Sequence, residues 1–173
     1  MNRVVTGYDE NGSPAIIRQG EPPTVMHAGR YVTTELWVTD STPPRAADTD
    51  TSARAWQLEP PPAGTCFRIV EIAPAGDEGE QDENQPDGDG DRISPAGGGD
   101  ALDAAHEAFQ DAHATGTLDY VTVLRGEVVL VVGGTEVTLR PGDSVVQQPG
   151  VPHDWQNRSA ERAVMVGVLL SAR

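Results

Sequence analysis

The chain has 173 residues, of which 37% are hydrophobic, a size that suits one domain with a single core. Its formal net charge of −15 argues against binding to phosphate backbones or anionic lipid, so neither a nucleic-acid nor a membrane partner is expected. A single cysteine excludes an internal disulfide, and no apolar run is long enough for a signal core or a membrane span. We therefore expect a soluble, cytoplasmic protein.

The first 74 residues are predicted to form short strands separated by turns. The segments VVTGY and PAIIRQ flank the turn DENG at 9–12, and YVTTELWVTD at 31–40 alternates between polar and apolar residues. A polar, Pro-rich loop at 41–63 precedes a further strand, TCFRIVEIAP, at 65–74. With 19 Gly and 14 Pro in the chain, turn-rich β structure is favoured over a helical bundle.

Residues 75–99 differ sharply in composition from the strands around them. Eight acidic residues and no basic residue lie between Asp77 and Asp91. Such a segment buries too little apolar surface to offset its ordering entropy, so a mobile loop is expected. The Ala-rich segment at 100–113 follows, with Asp100 placed as an N-cap, and it predicts one short helix.

From residue 117 onward the pattern is again that of strands. Five segments rich in β-branched residues are separated by short turns such as RG, GG, PGD and NRSA. Many of these segments are apolar on both faces, which predicts a sandwich or a barrel with a filled interior.

A histidine follows the second of two Pro-Gly turns near the end of this region. The segment PGVP at 149–152 fixes a tight turn, and the next residues then enter a strand. Because side chains alternate along a strand, His153, Trp155 and Asn157 are predicted to share one face. An imidazole, an indole and an amide would then converge on one cavity, as in small-molecule sites.

This part of the sequence resembles the second motif of the cupin superfamily of small β-barrels. That motif runs Gly, five residues, Pro, one residue, Gly, two residues, His, three residues, Asn. Here its positions are held by Gly142, Gln148 with Pro149 beside it, Gly150, His153 and Asn157, so that four of five match. The resemblance covers residues 113–170 and implies a single cupin domain, an all-β jelly-roll barrel, over residues 1–173, with the first 74 residues extending its sheets.

The first cupin motif is present in an eroded form. It runs Gly, five residues, His, one residue, His, three or four residues, Glu, six residues, Gly. Its positions are held here by Glu107, His113, Thr115, Asp119 and Gly126. In metal-binding cupins three histidines and one glutamate hold a divalent ion, so the resemblance implies at most a ligand set of His113, Asp119 and His153, suited to Zn, Fe, Mn or Ni, or no metal at all.

The conformation at His113 decides how many residues share this site. If a strand begins by residue 113, then His113, Thr115, Thr117 and Asp119 lie on one face. If the helix runs through His113, that face is lost until about Thr117. In the first case the two motifs could together line one cavity.

The leading hypothesis for function is a small-molecule enzyme of the lyase, isomerase or cyclase type, for example one that acts in secondary metabolism. Proton transfer by His113, Asp119 or His153, or polarisation of a carbonyl by a metal, would supply the chemistry. Thr115, Thr117, Trp155 and Asn157 would shape or orient the substrate. The alternatives are a non-haem iron dioxygenase on the same site and a non-catalytic small-molecule binding protein, and the resemblance to cupins also implies a homodimer.

Overall fold

A computed structural model describes residues 1–44, 51–77 and 112–172. These residues form eleven β-strands: β1 (Arg3–Tyr8), β2 (Pro14–Gly20), β3 (Thr24–Ala28), β4 (Tyr31–Thr39), β5 (Thr65–Ile72), β6 (Thr117–Arg125), β7 (Val128–Val132), β8 (Thr135–Leu139), β9 (Ser144–Gln147), β10 (Asp154–Gln156) and β11 (Ala163–Ser171). The expectation of an all-β fold is confirmed for this part of the chain. The helix expected at 100–113 and most of the acidic segment at 75–99 lie outside the described residues.

The first two strands form a hairpin of their own, as the turn DENG predicts. Asp9 accepts hydrogen bonds at Oδ1 from the backbone N–H groups of Asn11, at 2.9 Å, and Ser13, at 2.8 Å. Gly12 has a φ of 75°, which glycine adopts without strain. These local contacts fix the turn, and among the described strands β1 and β2 pair only with each other.

The main sheet joins the two halves of the chain. Its six antiparallel strands lie in the order β3-β4-β5-β11-β6-β9. The last strand, β11, therefore lies between β5 from the first half and β6 from the second half. A second sheet, in the order β10-β7-β8, lies against the inner face of the first.

The main core fills the space between these two sheets. Its fully buried members come from both of them: Ile72 and Val123 from the large sheet, and Val128 from the small sheet. Trp155 of β10 packs against this cluster. Burial of these apolar side chains holds the two sheets together and leaves a cavity at one end of the core.

Strand β3 is an element that the sequence analysis did not predict. It spans only five residues, TVMHA, but its alternating burial follows the period of a strand with one face inward. It pairs with β4 through a turn at Gly29, whose φ is 54°. Among the described residues there are no helices, and so none that could cross a membrane.

Candidate active site

Two histidines from distant parts of the sequence meet as a backbone bridge. The N–H of His113 donates to the carbonyl oxygen of His153 at 3.0 Å, and the N–H of His153 donates to the carbonyl oxygen of His113 at 2.9 Å. Their rings lie with centroids 4.6 Å apart. His113 is therefore in an extended conformation, and of the two alternatives at this position the strand is the one observed.

The ring of His153 is oriented by its own turn. Its side chain is 3% exposed, and Nδ1 lies 2.9 Å from the carbonyl oxygen of Val151. A carbonyl oxygen only accepts hydrogen bonds, so Nδ1 must carry the proton in this contact. In the neutral ring Nε2 is then the nitrogen with an available lone pair, which is the state required of a general base.

Asp119 is a buried carboxyl group on β6. The residue is 6% exposed, and its Oδ1 has no hydrogen-bond partner among the described residues. Burial raises the pKa of Asp119, and the neighbouring Thr117 hydroxyl and His153 ring offset this only in part. The protonated form, which donates a proton or a hydrogen bond, is thereby favoured more than in an exposed aspartate.

The two threonines of the first motif have different surroundings. Thr115 lines the cavity, and its carbonyl oxygen accepts a hydrogen bond from Gly150 N–H at 2.8 Å. This contact ties the first motif to the turn that presents His153. Thr117 is fully buried and donates from its hydroxyl to the hydroxyl of Thr115 at 2.9 Å, and it supports the wall without lining it.

The alternation of side chains that face the cavity continues for only one step after His153. Trp155 lines the cavity, with its ring centroid 6.1 Å from that of His153 in an edge-on arrangement. Asn157 does not line this cavity, because β10 ends at Gln156 and the chain turns. The Asn157 amide instead donates to the carbonyl oxygens of Ile72, at 2.8 Å, and Glu161, at 2.7 Å, which is a structural arrangement.

The cavity has a volume of about 80 Å³ and opens to solvent. Most of its wall is apolar, as in sites for small organic molecules. The first half of the chain also contributes to the wall, with Tyr31, Thr33 and Arg68, and this contribution was not predicted from the sequence. The available signal was Arg68 itself, a charged residue in the middle of the mainly apolar strand TCFRIVEI.

Arg68 is held in a buried network at the end of the cavity. Its guanidinium lies 2.8 Å from Oε1 of Glu35 and donates to the carbonyl oxygens of Leu58, at 3.0 Å, and Gln57, at 3.1 Å. Arg68 and Glu35 are each 3% exposed. Burial raises the pKa of Glu35, and the positive charge of Arg68 acts against that rise.

The residues present do not fit a resident metal ion. Within residues 1–44, 51–77 and 112–172, no group of three His, Cys, Asp or Glu side chains is arranged so that it could hold one. Thr115 also stands where metal-binding cupins have their second histidine, and a hydroxyl is a poor replacement for an imidazole. Within the described part of the chain, His113, Asp119 and His153 are therefore available for other chemistry.

Comparison with known proteins agrees with this architecture. A family model described as "Cupin domain" matches residues 103–169. No curated protein sequence gives a significant match.

Similar solved structures include a cupin 2 conserved barrel domain protein from Salinispora arenicola, at 15% identity over 91% of this chain and 90% of that chain, with a TM-score of 0.48. The cupin 2 domain of an XRE family transcriptional regulator from Enterobacter cloacae is 14% identical over 83% of this chain and 99% of that chain, with a TM-score of 0.45. A putative ethanolamine utilization protein Q from Salmonella typhimurium is 9% identical over 100% and 98%, with a TM-score of 0.44. The match to the cupin domain model covers the segment that contains His113, Asp119 and His153.

Proposed function

We propose that the protein is a small-molecule enzyme of the lyase, isomerase or cyclase type, which moves protons on an organic substrate bound in the barrel cavity. One observation is the main support: a histidine with a defined basic nitrogen and a carboxyl group with a raised pKa line the same largely apolar cavity. A proton acceptor and a proton donor that face one bound molecule can together move protons on it.

His153 is the general base in this proposal. Its Nδ1–H is engaged by Val151, which leaves Nε2 to take a proton from a carbon atom of the substrate. Asp119 is the general acid and gives its proton to a second atom of the substrate, such as an oxygen or another carbon. In an isomerisation the double bond moves between these atoms; in an elimination the protonated oxygen leaves as water.

The neighbouring residues position the reacting groups. His113 fixes the backbone of His153 through two hydrogen bonds and places its own ring beside it. Trp155 and Tyr31 give the cavity two aromatic walls against which an apolar substrate can pack. These contacts would hold the substrate next to the base and exclude water from it.

The test does not require knowledge of the natural substrate. An enzyme that removes a proton from carbon also exchanges that proton with solvent, so purified protein in D2O should catalyse deuterium incorporation into members of a panel of small ketones, hydroxy acids and unsaturated acids. NMR of the panel detects the exchange. We expect exchange with the native protein and a loss of at least about 100-fold in His153→Gln and in Asp119→Asn.

His27→Gln is the matched control, because His27 is exposed on β3, away from the cavity. Exchange that is equal in His27→Gln and His153→Gln would overturn the proposed base. A native protein that binds members of the panel but neither exchanges nor converts them would instead be a non-catalytic binding protein, which the mainly apolar wall also suits.

A further inference from the structure

A glycine interrupts the inner face of the main sheet beside the reacting groups. The strand register places Gly167 of β11 between Arg68 of β5 and Val121 of β6. In the next inward-facing row, Leu169 of β11 lies opposite Asp119. Gly167 therefore leaves a gap in the cavity wall with Arg68 on one side and Asp119 diagonally across on the other.

Neither backbone conformation nor steric crowding requires glycine at this position. The φ of Gly167 is outside the left-handed region. A Cβ atom added there would lie 3.5 Å from Cδ1 of Leu169 and 3.8 Å from Cγ2 of Val121, which are ordinary van der Waals distances. Glycine inside a strand lowers stability, so the missing side chain calls for another reason, and close approach of a ligand is a frequent one.

Three polar atoms without partners among the described residues line the same cavity as this gap. Nε of Arg68, Oγ1 of Thr33 and Oδ1 of Asp119 are buried and have no hydrogen-bond partner among the described residues. All three residues line the cavity, and their exposed fractions are 3%, 0% and 6%. Buried polar groups left unpaired are costly, so three of them in one wall indicate a ligand that completes their hydrogen bonds.

We propose that the gap at Gly167 receives the oxygen-bearing head group of the substrate, a carbonyl or carboxylate oxygen that accepts a hydrogen bond from Arg68 Nε–H. This inference rests on the proposed function and names its substrate class, a small and otherwise mainly apolar carbonyl compound or carboxylic acid. The head group would lie within reach of Asp119, and the apolar remainder would pack against the aliphatic and aromatic wall. Gly167 is then a residue that determines specificity by the space that it leaves.

Carbonyl and carboxylate groups share the acceptor oxygen but differ in charge. Arg68 already faces Glu35, so a neutral carbonyl adds no charge to the cavity, whereas a carboxylate adds a second anion near the same cation. Burial already raises the pKa of Glu35 and of Asp119, so the second anion would be accompanied by uptake of a proton. Tighter binding at lower pH would thus distinguish a carboxylate from a carbonyl compound.

Three probes with the same ring test the head group. Cyclohexanecarboxylate and cyclohexyl methyl ketone have an acceptor oxygen, whereas cyclohexylmethylammonium has only donors. We expect ligand-observed NMR to show binding of at least one acceptor probe at millimolar concentration, about tenfold tighter than the ammonium probe. Failure of both acceptor probes to bind, or equal binding of the ammonium probe, would overturn the assignment of the head group.

The variant Gly167→Ala tests the gap itself. We expect it to raise the melting temperature of the ligand-free protein by about 1–3 °C and to weaken acceptor-probe binding at least tenfold, with Gly167→Val weakening it further. A purely structural glycine would not give these opposite effects on stability and binding. Gly7→Ala is the control, because Gly7 is in a strand of the separate N-terminal hairpin and does not line the cavity; the added Cβ would meet the flexible end of the Ile17 side chain, which can move aside.

Unchanged probe affinity in Gly167→Ala would overturn the inference. The binding test of the head-group site and the exchange test of the enzyme can fail independently of each other. Probe binding that depends on Gly167 without any proton exchange would refute the enzyme and leave the head-group site. Exchange that is lost in His153→Gln but unaffected by Gly167→Ala would refute the head-group site and leave the enzyme.

Discussion

The hydroxyl of Tyr31 donates a hydrogen bond to the backbone carbonyl oxygen of Trp155 at 3.1 Å, although the two residues are 124 positions apart in the sequence. Tyr31 begins β4 in the main sheet, and Trp155 lies in β10 of the small sheet. The bond therefore fastens the strand that follows His153 to the opposite wall of the cavity. The strand that carries the indole is thus held by contacts with both halves of the chain.

Removing this one hydroxyl should affect both stability and the site. We expect Tyr31→Phe to lower the free energy of unfolding by about 1 kcal/mol, since a single hydrogen bond is lost while the ring is kept. Urea unfolding measures the change. Any solvent exchange catalysed by the protein should fall as well, because β10 gains freedom; a loss of stability with unchanged exchange would show that the bond does not position His153.

Thr33→Val should increase stability and weaken ligand binding. The Thr33 side chain is fully buried on β4, and its hydroxyl has no partner among the described residues. Replacing an unpaired buried hydroxyl with a methyl group of similar shape removes a desolvation cost, so we expect a gain of about 1 kcal/mol in urea unfolding. A decrease in stability would mean that the hydroxyl is satisfied in solution, for instance by an ordered water.

The pKa of Asp119 predicts how stability depends on pH. Burial raises this pKa from its ordinary value of 3.8, so above that value the unfolded chain gives up its proton more readily than the folded protein does. The Asp119 contribution is therefore favourable at low pH and is lost as the pH rises from about 4 through the folded-state pKa.

Asp119→Asn tests this dependence, since its amide does not titrate. We expect Asp119→Asn to gain stability relative to the native protein as the pH is raised from 4 to 8 in urea unfolding. Comparison with Asp40→Asn, whose carboxylate is exposed in the surface pair with Arg54, separates this effect from the general repulsion in an acidic chain. A difference that is constant with pH would contradict the raised pKa.

The purified protein is expected to have a low metal content. Because no group of three donor side chains in the described part of the chain is arranged to hold a metal ion, purified protein should contain well under one Zn, Fe, Mn or Ni ion per chain by elemental analysis. His153→Ala should leave that content unchanged. Stoichiometric metal that disappears in His153→Ala would restore the ligand set of His113, Asp119 and His153 and with it the dioxygenase alternative.

A homodimer is expected from the outer face of the main sheet. Phe67, Tyr120 and Val146 are 40%, 49% and 57% exposed and, with Val168 between Phe67 and Tyr120, form one row across four strands. An apolar row of this kind is better covered than exposed. Light scattering after gel filtration should give twice the chain mass, and Tyr120→Glu should give a monomer; a native monomer at micromolar concentration would contradict the expectation.

Much of the strand pattern could be predicted because its determinants are local. The DENG turn, the alternation in residues 31–40 and the β-branched segments after residue 117 each indicate a strand within a few residues, and the structure contains them. His153 could be placed in the cavity by its motif, because the turn before it sets the direction of its side chain. Local alternation failed at Asn157, where β10 ends.

The remainder of the site depends on pairing between distant strands. Gly167 matters because it lies opposite Arg68, and nothing in the sequence around either residue reveals that β11 pairs with β5. Thr33 likewise lines the cavity only because β4 pairs with β5. The local sequence at His113 is compatible with both a helix and a strand. The backbone bridge to His153 accounts for the extended conformation that is observed.

The position of β11 has a consequence for the order in which the protein forms. Residues 163–171 are the last strand along the sequence, yet they supply the pairing edge for β5 and for β6 at once. During synthesis the edges of β5 and β6 stay unpaired until β11 has been made. Unpaired strand edges can pair with strands of other chains. When β11 pairs, it closes the sheet. The same late step buries Asp119 opposite Leu169 and forms the gap at Gly167.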